Sequence, residues 1–236
     1  MGHIHIVSAF DQELAYVVNR IGAMGGTAES MVELSVAALV NGDGVLARRV
    51  IGEDNKLDEA ERDIGDKAIA LIGRRQPLAQ DLRQVIGAIR ISADLERVGD
   101  LAKNIAKRAV AIGNEAHPPG LSRGLQSLAE LASMQLKDVL DAYASRDVTR
   151  LEAMRDRDEQ IDLMYTSLFR QLLTYMMEDV RKITSCTHLL FCAKNIERIG
   201  DHATNIAETI YYVQTGLQMP QERPKDDRTT AMVAER

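Results

Sequence analysis

The chain has 236 residues, 35 Asp and Glu against 29 Lys and Arg, a formal net charge of -6, 45% hydrophobic residues and only nine aromatic ones, none of them Trp. The length admits one or two domains and the apolar content is enough for a core. The acidic balance argues against nucleic-acid binding through bulk charge, and the low aromatic content argues against an all-β sandwich or barrel.

Five prolines, Pro77, Pro118, Pro119, Pro220 and Pro224, leave long uninterrupted blocks in which helices can run. The first predicted helix starts at Phe10. It keeps three-and-four spacing through Leu14, Val17, Ile21, Met24, Ala28, Met31 and Leu39. Asn41-Gly42-Asp43-Gly44 reads as a turn, with Asp43 an N-cap. A second run carries Val45 to Ile72 and stops near Gly73, ahead of Pro77. A third runs from Leu82 to Ile112 and closes at Gly113-Asn114 and Pro118-Pro119-Gly120. The second half repeats the plan, with runs from Leu121 to Tyr143, from Leu151 to about Met177, and from about Val180 to Leu217. Met219 to Arg236 mixes prolines and both charge signs with little apolar patterning and reads as disordered. The methionines, Met24, Met31, Met134, Met154, Met164, Met176 and Met177, are expected for the most part to fill the core.

Short connections force antiparallel neighbours. The expected fold is therefore all-α: a first three-helix bundle over 1–116, a second over 120–218, and a disordered tail over 219–236. No apolar run approaches the ~18 residues of a membrane span. Cys186 and Cys192 are too few for a disulfide framework. The first residues lack the charged start and apolar core of a signal peptide, so a reducing, cytoplasmic setting is expected.

The two halves are related. Glu96-Arg97-Val98-Gly99-Asp100-Leu101-Ala102-Lys103-Asn104-Ile105-Ala106 aligns with the eleven residues Glu197 to Ala207 at an offset of 101, and eight pairs are identical. The three that differ are Val98/Ile199, Leu101/His202 and Lys103/Thr204. A weaker match at an offset of 104 pairs Asp54 to Asp58 with Asp158 to Asp162, and Asp43 with Asp147.

Each half therefore carries two acidic pairs at i,i+4: Asp54/Asp58 with Glu96/Asp100, and Asp158/Asp162 with Glu197/Asp201. That spacing puts both carboxylates of a pair on one helix face, where like charges repel. Helix formation does not call for this, so the acids need either open solvent or a cation. Two such helices side by side assemble four carboxylates, an oxygen-donor set suited to Mg, Mn, Ca or Fe. Asn104 and Asn205 lie one turn further and could support the acids. Gly99 and Gly200, costly in mid-helix, suggest close approach of another helix beside the acids. Arg97 and Arg198 are expected to point away from their pair, towards packing or neighbouring acids. Cys186, His188 and Cys192 scatter over more than one helix face and make a poor zinc set. There is no phosphate-binding glycine loop, nucleophile elbow or Ser/His/Asp order.

The doubled Glu-Arg-(Val/Ile)-Gly-Asp motif followed by Asn-Ile-Ala, with Met24-Gly25-Gly26, Glu29 and Asp54 to Asp58, resembles the PhoU family over about residues 8–217. The resemblance implies two three-helix bundles and multinuclear metal sites of iron or zinc, with manganese or magnesium also possible. The implied ligands are Asp54, Asp58, Glu96, Asp100, Asp158, Asp162, Glu197 and Asp201. It further implies a cytoplasmic, often dimeric adaptor between the phosphate ABC transporter, through its ATP-binding subunit, and a sensor histidine kinase, holding the phosphate-starvation regulon silent when phosphate is plentiful. This sequence departs from the pattern at Asn195, which matches Asp94 in the first half, and at Val180, where a proline is expected. Two other functions fit the residues: a carboxylate-bridged di-metal enzyme, against which the lack of any Glu-x-x-His counts, and a structural helical scaffold with solvated acids.

Overall fold

In the computed structural model, residues 2–113, 119–151 and 154–219 are described, with the backbone alone at 2–9, 119 and 155. Six long helices follow one another: α1 (Gly2–Asn41), α2 (Gly44–Arg75), α3 (Ala79–Ile112), α4 (Pro119–Ser145), α5 (Met154–Glu178) and α6 (Ile183–Thr215). There is no strand among the described residues. The disorder expected at the C-terminus concerns residues that, from 220 on, lie outside the described ones; Met219 itself packs against the core.

Local chemistry accounts for the ends. The Asp43 carboxylate accepts hydrogen bonds from the backbone N–H groups of Val45 and Leu46, so it caps α2 as expected. Pro119 opens α4, where its missing N–H would have no helical partner anyway. Three boundaries differ from the sequence expectation. α1 begins at Gly2 rather than Phe10; nothing between them breaks a helix, and extending one adds a hydrogen bond per residue at little entropic cost. Val148–Leu151 forms a separate 3-10 turn, because Asp147 accepts from the backbone N–H and hydroxyl of Thr149, and α5 starts only at Met154. Val180–Lys182 is likewise a 3-10 turn, capped by Asp179 through the Arg181 N–H, and α6 starts at Ile183.

The helices pack as two three-helix bundles, α1–α3 and α4–α6, joined where α3 lies on α6 and α1 on α4. One buried core runs through both, including Ile21, Leu57 and Leu95 of the first bundle and Leu136, Ile161 and Ile196 of the second. A side chain at Gly87 would meet Val213, Asp94 faces His202, and Arg108 faces His188. These pairs run in opposite chain directions, so α3 and α6 are antiparallel. The Arg108 guanidinium also stacks 4.2 Å from the centre of the Phe191 ring. The two helices that carry the repeated acidic motif are thus the central pair of the molecule. No helix among the described residues is long and apolar enough to cross a membrane.

Candidate functional site

The four acidic pairs lie on α2, α3, α5 and α6, and the motif glycines bring their helices together. A Cβ at Gly99 would run into Leu57 Cδ1, and one at Gly200 would stand 3.0 Å from Ile161 Cδ1. Leu57 sits between Asp54 and Asp58, and Ile161 between Asp158 and Asp162. The glycine of one motif therefore receives the apolar residue of the other, so α2 nests on α3 and α5 on α6 beside their acids.

In the first repeat a lysine holds the acids together. Lys103 Nζ donates to Asp54 Oδ2 at 2.5 Å and to Asp100 Oδ1 at 2.6 Å, joining α2 to α3. Asp54 is only 6% exposed, so a paired cation offsets a charge that would otherwise be costly to bury. Burial pulls the Lys103 ammonium down, but hydrogen bonds to Asp100 and Asp54 outweigh it and hold the group above its ordinary range. Burial likewise pushes Asp100 up, yet Lys103 brings it out below the ordinary carboxylate range. Burial first, and then the Asp100 charge, push Glu96 up to about 7 against the opposing charge of Arg97. Arg97 does not point away from the pair: its flexible side chain brings Nη1 to 3.2 Å from Asp100 Oδ2 and Nε to 3.4 Å from Glu96 Oε2. Asp58 is partly buried one turn beyond Asp54.

The second repeat is built differently. Thr204 stands at the position of Lys103, and its hydroxyl donates to Asp158 Oδ1 at 3.1 Å while accepting from Gln135 Nε2 at 2.8 Å. Glu197 is 9% exposed. Its Oε1 accepts from Lys194 Nζ at 2.8 Å, and its Oε2 is buried with no hydrogen-bond partner. Burial raises the Glu197 carboxyl, Lys194 opposes the rise, and the Asp201 and Asp162 charges add to it. Asp162, Glu197 and Asp201 therefore share one electrostatic neighbourhood. Gln135, fully buried on α4, likewise keeps Oε1 unpartnered.

These details decide how well each half suits a metal. Among the described residues, no three His, Cys, Asp or Glu side chains converge in the geometry of a metal site. The first repeat does not fit an added ion at Asp54 and Asp100, because the Lys103 ammonium already lies between them. The second offers an all-oxygen donor set with two orphaned buried oxygens, Glu197 Oε2 and Gln135 Oε1, a chemistry that fits a hard cation. Asn104 and Asn205 are exposed on α3 and α6. Cys186 and Cys192 are buried and not joined in a disulfide, and burial pushes Cys192 up to about 12, far from the thiolate that zinc requires.

The periodicity of the sequence did not reveal a groove of about 760 Å³ between α1 and α4. Glu29, Glu33, Glu130 and Lys137 line it together with Val36 and Met134. Burial raises the Glu29 carboxyl there. Met134 is half exposed and Met177 largely exposed, so these two do not fill the core as the other methionines do.

Comparison with known proteins places the whole chain. The PhoU domain model matches twice, over residues 21–109 and 125–210. A phosphate-specific transport system accessory protein PhoU homolog of Rhizobium meliloti (strain 1021) is 64% identical over 232 residues, 98% of each chain. One of Caulobacter vibrioides (strain NA1000 / CB15N) is 49% identical, covering 94% of this chain and 97% of the relative. The crystal structure of PhoU from Pseudomonas aeruginosa superposes with a TM-score of 0.85 at 35% identity, covering 88% of this chain and all of the other. With two matches to the family model, one in each bundle, and a fold shared over 88% of its length, the chain belongs to the PhoU domain family.

Proposed function

We propose that the protein is a non-enzymatic regulator of phosphate transport and phosphate-starvation signalling. It acts as a cytoplasmic adaptor between the ATP-binding subunit of a phosphate ABC transporter and a sensor histidine kinase, working as a homodimer and holding the phosphate regulon silent when phosphate is plentiful. The observation that carries this reading is the near-complete match, 64% identical over 98% of both chains, to a relative named as a phosphate-specific transport accessory protein. The geometry is compatible with docking: long helix faces, and an acid-lined groove between the bundles. Transporter conformations that bind such surfaces with different affinity would bias the kinase by linkage. In this reading the paired acids of the second repeat, Asp158, Asp162, Glu197 and Asp201, hold a divalent or trivalent metal, with iron, zinc, manganese and magnesium as candidates. The unpartnered Glu197 and Gln135 oxygens support it.

The test is deletion of the gene followed by measurement of phosphate-responsive gene expression in high and low phosphate. Expression that stays high in plentiful phosphate supports the proposal. Expression unchanged by the deletion overturns it. Pull-downs from both conditions identify the partners.

A further inference from the structure

The groove of about 760 Å³ lies where the two bundles meet, because α1 belongs to the first and α4 to the second. On α1 its lining runs from Glu29 to Asn41, and on α4 from Gln126 to Lys137. Each stretch is about three turns, or about 18 Å of helix. The lining residues recur at three-and-four spacing, so each helix offers one face. Val36, Val40, Ala129 and Met134 belong to that lining, and Met134 is 52% exposed. Two adjacent helix faces with an apolar lining are the seat that a further helix takes in a bundle or a groove. The charge there is one-sided. Among the described lining residues, Glu29, Glu33 and Glu130 are carboxylates and Lys137 is the one ammonium. Burial holds the Glu29 carboxyl above its ordinary range; Lys137 opposes the rise, and the Asp141 and Glu33 charges add to it.

We propose that this groove seats a cationic amphipathic helix of a partner protein, with its apolar side chains entering between α1 and α4 and its Lys or Arg residues meeting Glu29, Glu33 and Glu130. The inference rests on the adaptor reading and deepens it, by giving the adaptor a docking surface and a partner of stated chemistry. The acids decide between occupants. A second copy of this chain, joined groove to groove across a two-fold axis, would set carboxylates against carboxylates. An anionic lipid surface would repel them. The chain's own segment from Met219 to Arg236 has four acidic and four basic residues, so it brings no net charge to the groove. A cationic helix answers both the apolar lining and the carboxylates. Because the groove is shared by the two bundles, a helix seated in it touches both, and its binding is coupled to how the bundles are placed.

The experiment uses full-length protein and a fluorescein-labelled peptide of about 14 residues, made of Leu and Lys with the leucines on one helix face. Binding is read by fluorescence anisotropy, and circular dichroism confirms the fold of each variant. A peptide of the same composition in scrambled order, and one with Glu in place of Lys, are the controls. The amphipathic Leu/Lys peptide should bind, and both controls should bind at least about tenfold more weakly. Glu33→Gln with Glu130→Gln should weaken binding by at least about tenfold, and Met134→Ser should weaken it as well. Glu59→Gln with Asp66→Asn removes two exposed carboxylates from α2, which does not line the groove, and should leave binding unchanged. Equal affinity for the scrambled peptide, or an equal loss in the α2 variant, means attraction by bulk charge and overturns the inference. Equal affinity for the Glu peptide overturns it too. So does a dimer, seen by sedimentation, that the groove variants dissolve, or binding to phosphatidylglycerol vesicles that they abolish. If the peptide fails to bind while deletion of the gene raises expression in plentiful phosphate, this inference falls and the adaptor reading stands. If the peptide binds in the groove while deletion changes nothing, the adaptor reading falls and the peptide site stands.

Discussion

His202 Nδ1 lies 2.9 Å from Asp94 Oδ1, across the boundary between α6 and α3, and both residues stand where the two repeats differ. By the offset of 101, the mirror-related positions are Leu101 and Asn195, so the bond is made on one side of the central helix pair only. Two departures from the repeat thus complement each other and tie one bundle to the other. Changing His202 to Leu or Asp94 to Asn should each destabilise the protein. A double-mutant cycle by urea denaturation should give a coupling of about 0.5–1.5 kcal/mol, in the range of a partly buried hydrogen bond. A coupling of zero would mean that the pair does not hold the bundles together.

The motif glycines should respond unequally to a methyl group. At Gly99 a Cβ collides with the buried Leu57 Cδ1, whereas at Gly200 it sits 3.0 Å from the end of Ile161. Alanine gains about 1 kcal/mol of helix propensity at either site, against an overpacking cost of about 1–3 kcal/mol at Gly99. Gly200→Ala should be near neutral, and Gly99→Ala should lower the melting temperature. Adding Leu57→Val to Gly99→Ala should recover part of the loss if the Leu57 contact is the cause.

Glu96 predicts a pH dependence in metal-free protein. Its carboxyl is raised from about 4.5 to about 7 in the folded state, so the native state holds this proton more tightly than the unfolded chain. Stability from Glu96 is therefore present at low pH and is lost as pH rises from about 4.5 through about 7. Glu96→Gln should leave stability nearly unchanged at pH 5 and raise it at pH 8. Allowing for solvent screening of a partly exposed group, the gain is about 1 kcal/mol. Chemical denaturation of both proteins across that pH range is the measurement, and parallel curves would show that Glu96 is not strained by its neighbours.

Asp43 offers a local test of the fold. Its carboxylate accepts from two backbone N–H groups at the start of α2. Asp43→Ala should cost about 1 kcal/mol, and Asp43→Ser much less, since a hydroxyl also caps. Equal losses in the two variants would show that the carboxylate serves some other purpose.

Much of this molecule follows from short-range pattern. Apolar spacing marks each helix, Asp43 and the prolines mark ends, and the motif around Glu96 and Glu197 marks the repeat and the acidic faces. The 3-10 turns at Val148 and Val180 escaped notice because a side-chain cap that tightens one turn does not disturb the apolar period around it. That Met134 and Met177 are the exceptions among methionines that mostly fill the core could not be read from the sequence, because a helix stripe does not say which of its edges a neighbouring helix covers.

By itself the sequence determined six helices, two related halves and paired carboxylates on helix faces, because these depend on residues within a few turns of one another. Only the tertiary structure decided what the acids meet. Lys103 finds Asp54 across 49 residues, and His202 finds Asp94 across 108. Periodicity can say that two charges share a helix face, but which partner faces them depends on how separate helices pack. That packing gives one cluster a tethered ammonium and leaves a buried carboxylate oxygen of the other without a partner.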